Sequence, residues 1–180
     1  KKLQGYNLKV ASINNVISAS KKTIFINDTG VIDLCGVRRD KVEWSINDKT
    51  IASIEDGCIK AKKLGSATVT AKYDGNEYKC EINVVEKTLE NKVQQIIENY
   101  IPYDCSDYGK IKTIRDWMCE NIYYDWESHS SYAAIMNGGA VCQGYMYAFA
   151  TFMNALNIEN YTTTGMAGYG RHGWNIVGIN

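Results

Sequence analysis

Two histidines, one proline and no Cys-x-x-Cys pair are the scarcities of this 180-residue chain. Without paired cysteines at ligand spacing, a structural zinc site is not expected, and no metal-ligand cluster or cofactor motif is seen. Net charge is absent too: 20 basic and 20 acidic residues cancel, so no general field draws nucleic acid or an anionic membrane. No apolar run approaches the length of a membrane span. No secretory signal opens the chain, which starts abruptly at Lys1-Lys2, as a trimmed sequence would. The first half has no histidine, and its carboxylates are scattered at turns, so no catalytic cluster is expected there.

Tyrosine is abundant, at 13, and cysteine numbers 6: Cys35, Cys58, Cys80, Cys105, Cys119 and Cys142. Their spacing is diffuse. Cys80 shares an alternating face with Tyr78, Ile82 and Val84 and reads as a small buried hydrophobe. Mostly free thiols are expected, one of them reactive. The pairing of Cys35, Cys58, Cys105 and Cys119 stays open.

Up to about residue 86 the text is short alternating runs. Candidate strands are 23–26, 31–35, 41–46, 51–55, 58–62, 66–73 and 77–84. Asp56-Gly57 and Asp74-Gly75 suit tight hairpins, because glycine tolerates positive φ. Short strands with Trp44 on a middle one predict a small β-sandwich over 1–86. Val42-Glu43-Trp44-Ser45, Ile51-Ala52-Ser53-Ile54, the run Gly57–Gly65, Ala67–Ala71 and Tyr78-Lys79-Cys80 resemble the group 2 bacterial immunoglobulin-like domain. That resemblance implies a spacer or adhesion module on a bacterial envelope protein. The run Lys60, Lys62, Lys63 reads as a solvated edge that blocks unwanted strand pairing.

From residue 87 the period changes to about 3.6. Leu89, Val93, Ile96, Ile97 and Tyr100 predict a helix capped by Thr88 and ended at Ile101-Pro102. Ile111, Ile114, Met118 and Ile122 predict a second, with Asp107 near its start. Ser131 is expected to cap a short helix through Met136. Another runs from Cys142 to near Asn157, because Tyr145, Ala148, Phe149, Phe152, Met153 and Leu156 fall at steps of three and four. Runs 161–166 and 172–180 read as strands. Helices followed by strands predict an α+β domain over 87–180.

Two stretches carry chemistry: Gly138-Gly139-Ala140-Val141-Cys142-Gln143-Gly144-Tyr145 and Arg171-His172-Gly173-Trp174-Asn175-Ile176-Val177. Cys142 sits at a helix N-terminus, where unpaired N–H groups favour a thiolate. His172 lies on a strand, on one face with Trp174 and Ile176. A thiolate and a nearby imidazole are the essential parts of a cysteine nucleophile site. His129, in the polar stretch Glu127–Ser130, reads as a surface loop residue. Trp126, Tyr145, Tyr147 and Tyr169 are open between core and cleft.

Together with Tyr108–Lys112, Tyr123-Tyr124-Asp125 and Ser131–Ala134, these stretches resemble the transglutaminase-like superfamily, which shares its logic with papain-type cysteine proteases. The resemblance implies Cys142 as nucleophile, His172 as general base and acid, and a thioester intermediate. The oxyanion donor is then the Cys142 backbone N–H, with Gln143 as a further candidate, and Trp174 packs beside the site. It also implies an orienting Asp on the strand after His172, beyond the given chain. The expected fold is therefore two domains, an immunoglobulin-like sandwich followed by a C-terminally incomplete transglutaminase-like domain. The chain as given would then be an impaired catalyst, with an open sheet edge able to pair with a second copy.

Substrate choice stays open among protease, amidase and cross-linking transferase, with a protein or a cell-wall peptide as partner at an extracellular, bacterial cell-surface location. An inactive adhesion or peptide-binding module is the alternative.

Overall fold

The computed structural model describes residues 16–168 and 170–179. The start of the expected 1–86 unit, Tyr169 beside the site, and the strand end at Asn180 lie outside the described residues.

Among the described residues, the first part of the chain forms seven strands: β1 (Lys21–Phe25), β2 (Thr29–Val31), β3 (Glu43–Ile46), β4 (Ala52–Glu55), β5 (Cys58–Ala61), β6 (Gly65–Tyr73) and β7 (Asn76–Val85). They make a four-stranded sheet, β1-β7-β6-β3, and a three-stranded sheet, β2-β5-β4. Side chains from both sheets share one core: Ile24, Ile46, Val69 and Ile82 from the first, Ala52 and Ile59 from the second. Each large aliphatic side chain removed from water there contributes roughly 1.5–3 kcal/mol. Alternation along β6 shows the cause, with Ala67, Val69 and Ala71 buried between exposed or half-buried neighbours. Asp56-Gly57 and Asp74-Gly75 hold positive φ at both positions, the backbone of a tight hairpin. The parallel pairing of β1 with β7 has no local signal, because its partners are far apart in the chain. The expected strand 31–35 is shifted. Pairing with β5 stops at Val31, and Ile32 and Leu34 continue into the core without a ladder.

Three α-helices follow among the described residues: α1 (Leu89–Tyr100), α2 (Asp107–Asn121) and α3 (Cys142–Ala155). Thr88 caps α1, its hydroxyl accepting from the Asn91 amide at 3.2 Å. Ser106 caps α2, its hydroxyl accepting from Gly109 N at 3.2 Å. Between α2 and α3 come β8 (Tyr123–Tyr124), a π-helical turn at Ala133–Asn137, and β9 (Gly139–Ala140). No side chain caps that turn at its N-cap Tyr132, and it is the Ser130 hydroxyl, not Ser131, that accepts from Ala133 N, at 3.1 Å. β8 pairs with β9 in parallel, and β10 (Asn160–Ala167) forms an antiparallel hairpin with β11 (Gly170–Val177). A second core gathers Val93, Ile96, Ile114, Trp117, Phe152 and Met153. In it the Trp117 and Phe152 rings meet edge to face at 5.4 Å.

The expected division into an immunoglobulin-like domain and a separate α+β, transglutaminase-like domain does not hold. The chain is one small, mostly-β body that carries its helices. The reason is at β1, an edge strand whose outward backbone groups need partners. Helix α1 supplies them. Glu98 accepts from the Thr23 amide at 2.7 Å, and the Gln95 side chain donates to the Thr23 carbonyl at 3.3 Å. Lys22 donates to Asn99 at 3.1 Å, and Lys92 lies over the Phe25 ring, 5.8 Å from its centre. Thr23 is thereby buried with its backbone N–H and C=O paired. Nor do the helices lie on a broad antiparallel sheet: α3 packs on a hairpin of two strands only.

Candidate functional site

Cys142 is the first residue of α3, preceded by Val141 in extended backbone that makes no side-chain cap. The first amides of α3 therefore have no capping side chain, and the half-buried Cys142 lies at this positive helix end. Close packing brings the chain to this point. Gly138 stops the π-helical turn at φ 77°. A Cβ on Gly139 would meet the Tyr123 ring at 2.9 Å, and one on Gly144 would meet the Ala140 methyl at 2.6 Å. The Val141 amide donates to the Ser128 carbonyl at 2.8 Å, and the Asp125 amide donates to the Ala140 carbonyl at 3.1 Å. Asp125 thus belongs to the clamp on the Cys142 segment. Its carboxylate accepts from the Ser128 hydroxyl and the Glu127 amide, and these bonds hold it below the usual carboxylate range.

His172 lies on β11 directly across from Gly165 of β10. It shares the exposed strand face with Trp174 and Ile176, as the alternation predicts. The imidazole meets the Trp174 ring edge to face at 5.4 Å, so Trp174 is its packing partner. The other face of β11 is fixed to α3. A Cβ on Gly173 would come within 2.9 Å of the Met146 sulfur, and the Asn175 side chain donates to the Met146 carbonyl at 3.0 Å.

Cys142 and His172 line the same two cavities. The first, about 370 Å³, runs over Met118, Cys119, Tyr145 and Phe149 and has Arg115 at its edge. The second, about 540 Å³, is walled by Trp126, His129, Gln143, Tyr147 and Arg171. Tyr124, Met146 and Gly173 border both. Among the described residues no hydrogen bond joins the sulfur to the imidazole, and none is made by the His172 ring. The Gln143 side-chain amide donates to the Tyr147 hydroxyl at 3.3 Å. Burial raises the Tyr145 phenol above its ordinary value, and its hydroxyl bonds the Ile122 carbonyl, tying α3 to the end of α2.

Several lining residues carry no sequence signal of their own. They are Cys119, Met146 and Arg171. The clue for Arg171 was its place beside His172. His129, expected on a surface loop, borders the second cavity, and Trp126 stands 79% exposed at the rim. All six cysteines are free thiols, with Cys80 buried. Among the described residues no group of three His, Cys, Asp or Glu is placed to hold a metal ion, and no helix is long and apolar enough to cross a membrane.

No family model matches the chain, and no curated protein sequence matches it. Among solved structures, an intimin mutant of EHEC O157:H7 is similar at 10% identity, over 90% of this chain and 81% of that one, with a TM-score of 0.29. Domains 5–6 of the S-layer protein SbsC are similar at 10% identity, over 92% of this chain and 83% of that one, with a TM-score of 0.33. Likenesses of this size carry no argument about activity, which rests on the chain's own geometry.

Proposed function

We propose that Cys142 and His172 form a thiol–imidazole acyl-transfer site acting on amide or peptide bonds of a protein or peptide at the bacterial cell surface. The observation that supports it is their shared cavity wall, with the thiol on the first turn of α3. In this reading His172 takes the thiol proton and the sulfur attacks the carbonyl carbon. The oxyanion meets the Cys142 backbone N–H, a donor already in place. Collapse breaks the C–N bond, the imidazolium gives its proton to the leaving amine, and a thioester remains. Water or an amine then releases the acyl group. This is the chemistry of the transglutaminase-like superfamily, which the Cys-Gln-Gly-Tyr and His-x-Trp-Asn stretches resemble. The surface location is supported by the resemblance of residues 17–85 to bacterial envelope modules.

A second reading, a peptide-binding module without activity, is favoured by one observation: the His172 ring rests on Trp174 and makes no hydrogen bond among the described residues. Iodoacetamide labelling with peptide mapping separates the two. Under the enzymatic reading Cys142 alkylates faster at neutral pH than a free cysteine, and His172→Ala removes the advantage. An alkylation rate equal to that of free cysteine leaves only the binding module.

A further inference from the structure

We infer that this site takes an anionic substrate, a peptide with a carboxylate next to the reacting amide, and that Arg171 holds the carboxylate. The inference rests on Cys142 being the nucleophile and adds the substrate class.

The charges around the two cavities are one-sided. Among the described residues no Asp or Glu lines either of them, whereas two arginines do: Arg115, paired with Asp116, and Arg171. Of the two carboxylates in the loop beside the second cavity, Asp125 is engaged by the Ser128 hydroxyl and the Glu127 amide, and Glu127 is exposed and does not line the cavity. The uncapped positive end of α3 adds to the same field.

Arg171 differs from the other arginines of the chain. Arg38 pairs with Asp40, Arg39 with Asp33 and Arg115 with Asp116. Arg171 has no ion-pair partner among the described residues. It lies on the β11 face that packs on α3, two positions before Gly173, which is pressed against Met146. Arg171 thus lines the second cavity, which Cys142 also lines. A planar fork of donors fits a carboxylate through two parallel bonds. The same lining opposes a lysine ammonium approaching the thioester, because like charges raise the cost of encounter. Water is therefore the expected resolving nucleophile, and hydrolysis the outcome.

Two alkylating agents that differ in charge test this without any substrate. Iodoacetate is an anion and iodoacetamide is neutral, and both lose iodide to the thiolate. The ratio of their rates at Cys142, read by peptide mapping of the full chain, is compared with the ratio for free cysteine. The expected ratio at low salt is about tenfold in favour of iodoacetate relative to free cysteine, and it collapses near 1 M salt, where screening acts within about 3 Å. Arg171→Gln removes most of the preference. Arg171→Lys keeps part of it and serves as the second variant should the first fold poorly. A ratio equal to that of free cysteine, or one that Arg171→Gln leaves unchanged, overturns the inference. Slow reaction with iodoacetamide itself is a separate result, and it sinks the nucleophile reading instead.

Discussion

The Asn175 side chain donates to the Met146 carbonyl at 3.0 Å, and this bond ties the strand that bears His172 to the helix that bears Cys142. Removing it should loosen the pair without emptying the core. Asn175→Ala is expected to cost about 0.5–1.5 kcal/mol in urea unfolding, the net worth of a part-buried hydrogen bond whose acceptor keeps its helical partner. Iodoacetamide alkylation of Cys142 should slow several-fold in the same variant. Unchanged alkylation would mean that β11 is positioned by something else.

Gly144 leaves room for β9 beneath the first turn of α3. Alanine there would press on the Ala140 methyl at 2.6 Å, so Gly144→Ala should destabilise by about 1–3 kcal/mol. Gly170→Ala is the control, because nothing lies within 4 Å of its added Cβ, and its cost should stay within about 0.5 kcal/mol. Equal effects in thermal melts would contradict the close approach.

The joining of sandwich and helices predicts a coupled unfolding. Glu98→Ala orphans the Thr23 amide, in a residue only 5% exposed, and should cost about 1–3 kcal/mol. Hydrogen exchange at Thr23 should accelerate in step. Glu98→Gln keeps an acceptor and should recover most of the loss. If the alanine variant lowers stability without faster exchange at Thr23, α1 is not what protects β1.

Burial pushes the Cys80 thiol up to about 11. In the folded protein it should stay silent to a disulfide reagent from pH 7 to 9, because the thiolate is the reacting form. Urea should expose it with the amplitude of one thiol. Reaction at the rate of Cys35 or Cys58, both exposed, would contradict its placement in the core.

Hydrogen bonding to Arg39 holds the Asp33 carboxyl below its ordinary value. Its folded pKa is therefore the lower one. The stability it adds is complete above the unfolded value near 4 and is lost as pH falls through the folded value. Both partners are more than a third exposed, so the contribution is below about 1 kcal/mol. The gap in midpoint between the native protein and Asp33→Asn should narrow from pH 6 to pH 2. A gap that widens would reverse the assignment.

Local signals were legible wherever one element decides its own form. Period two placed six of the seven strands and put the other a few residues late, and period 3.6 with Thr88 and Gly138 placed α1 and the stop before β9. Cys142 at a helix start and His172 on an alternating strand were readable for the same reason, since each depends on neighbours a few residues away. Three things were not. The parallel pairing of Thr23 with Asn83, the closing of that edge by Glu98, and the gathering of Arg171, Trp126 and His129 around one cavity all join residues distant in the chain. Periodicity reports which face of an element is apolar, and it is blind to which other element will cover that face. So the order of strands and helices belonged to the sequence, while their union into one body, and the charge lining the cavity at Cys142, came only from tertiary packing, where unpaired backbone and buried area choose the partner.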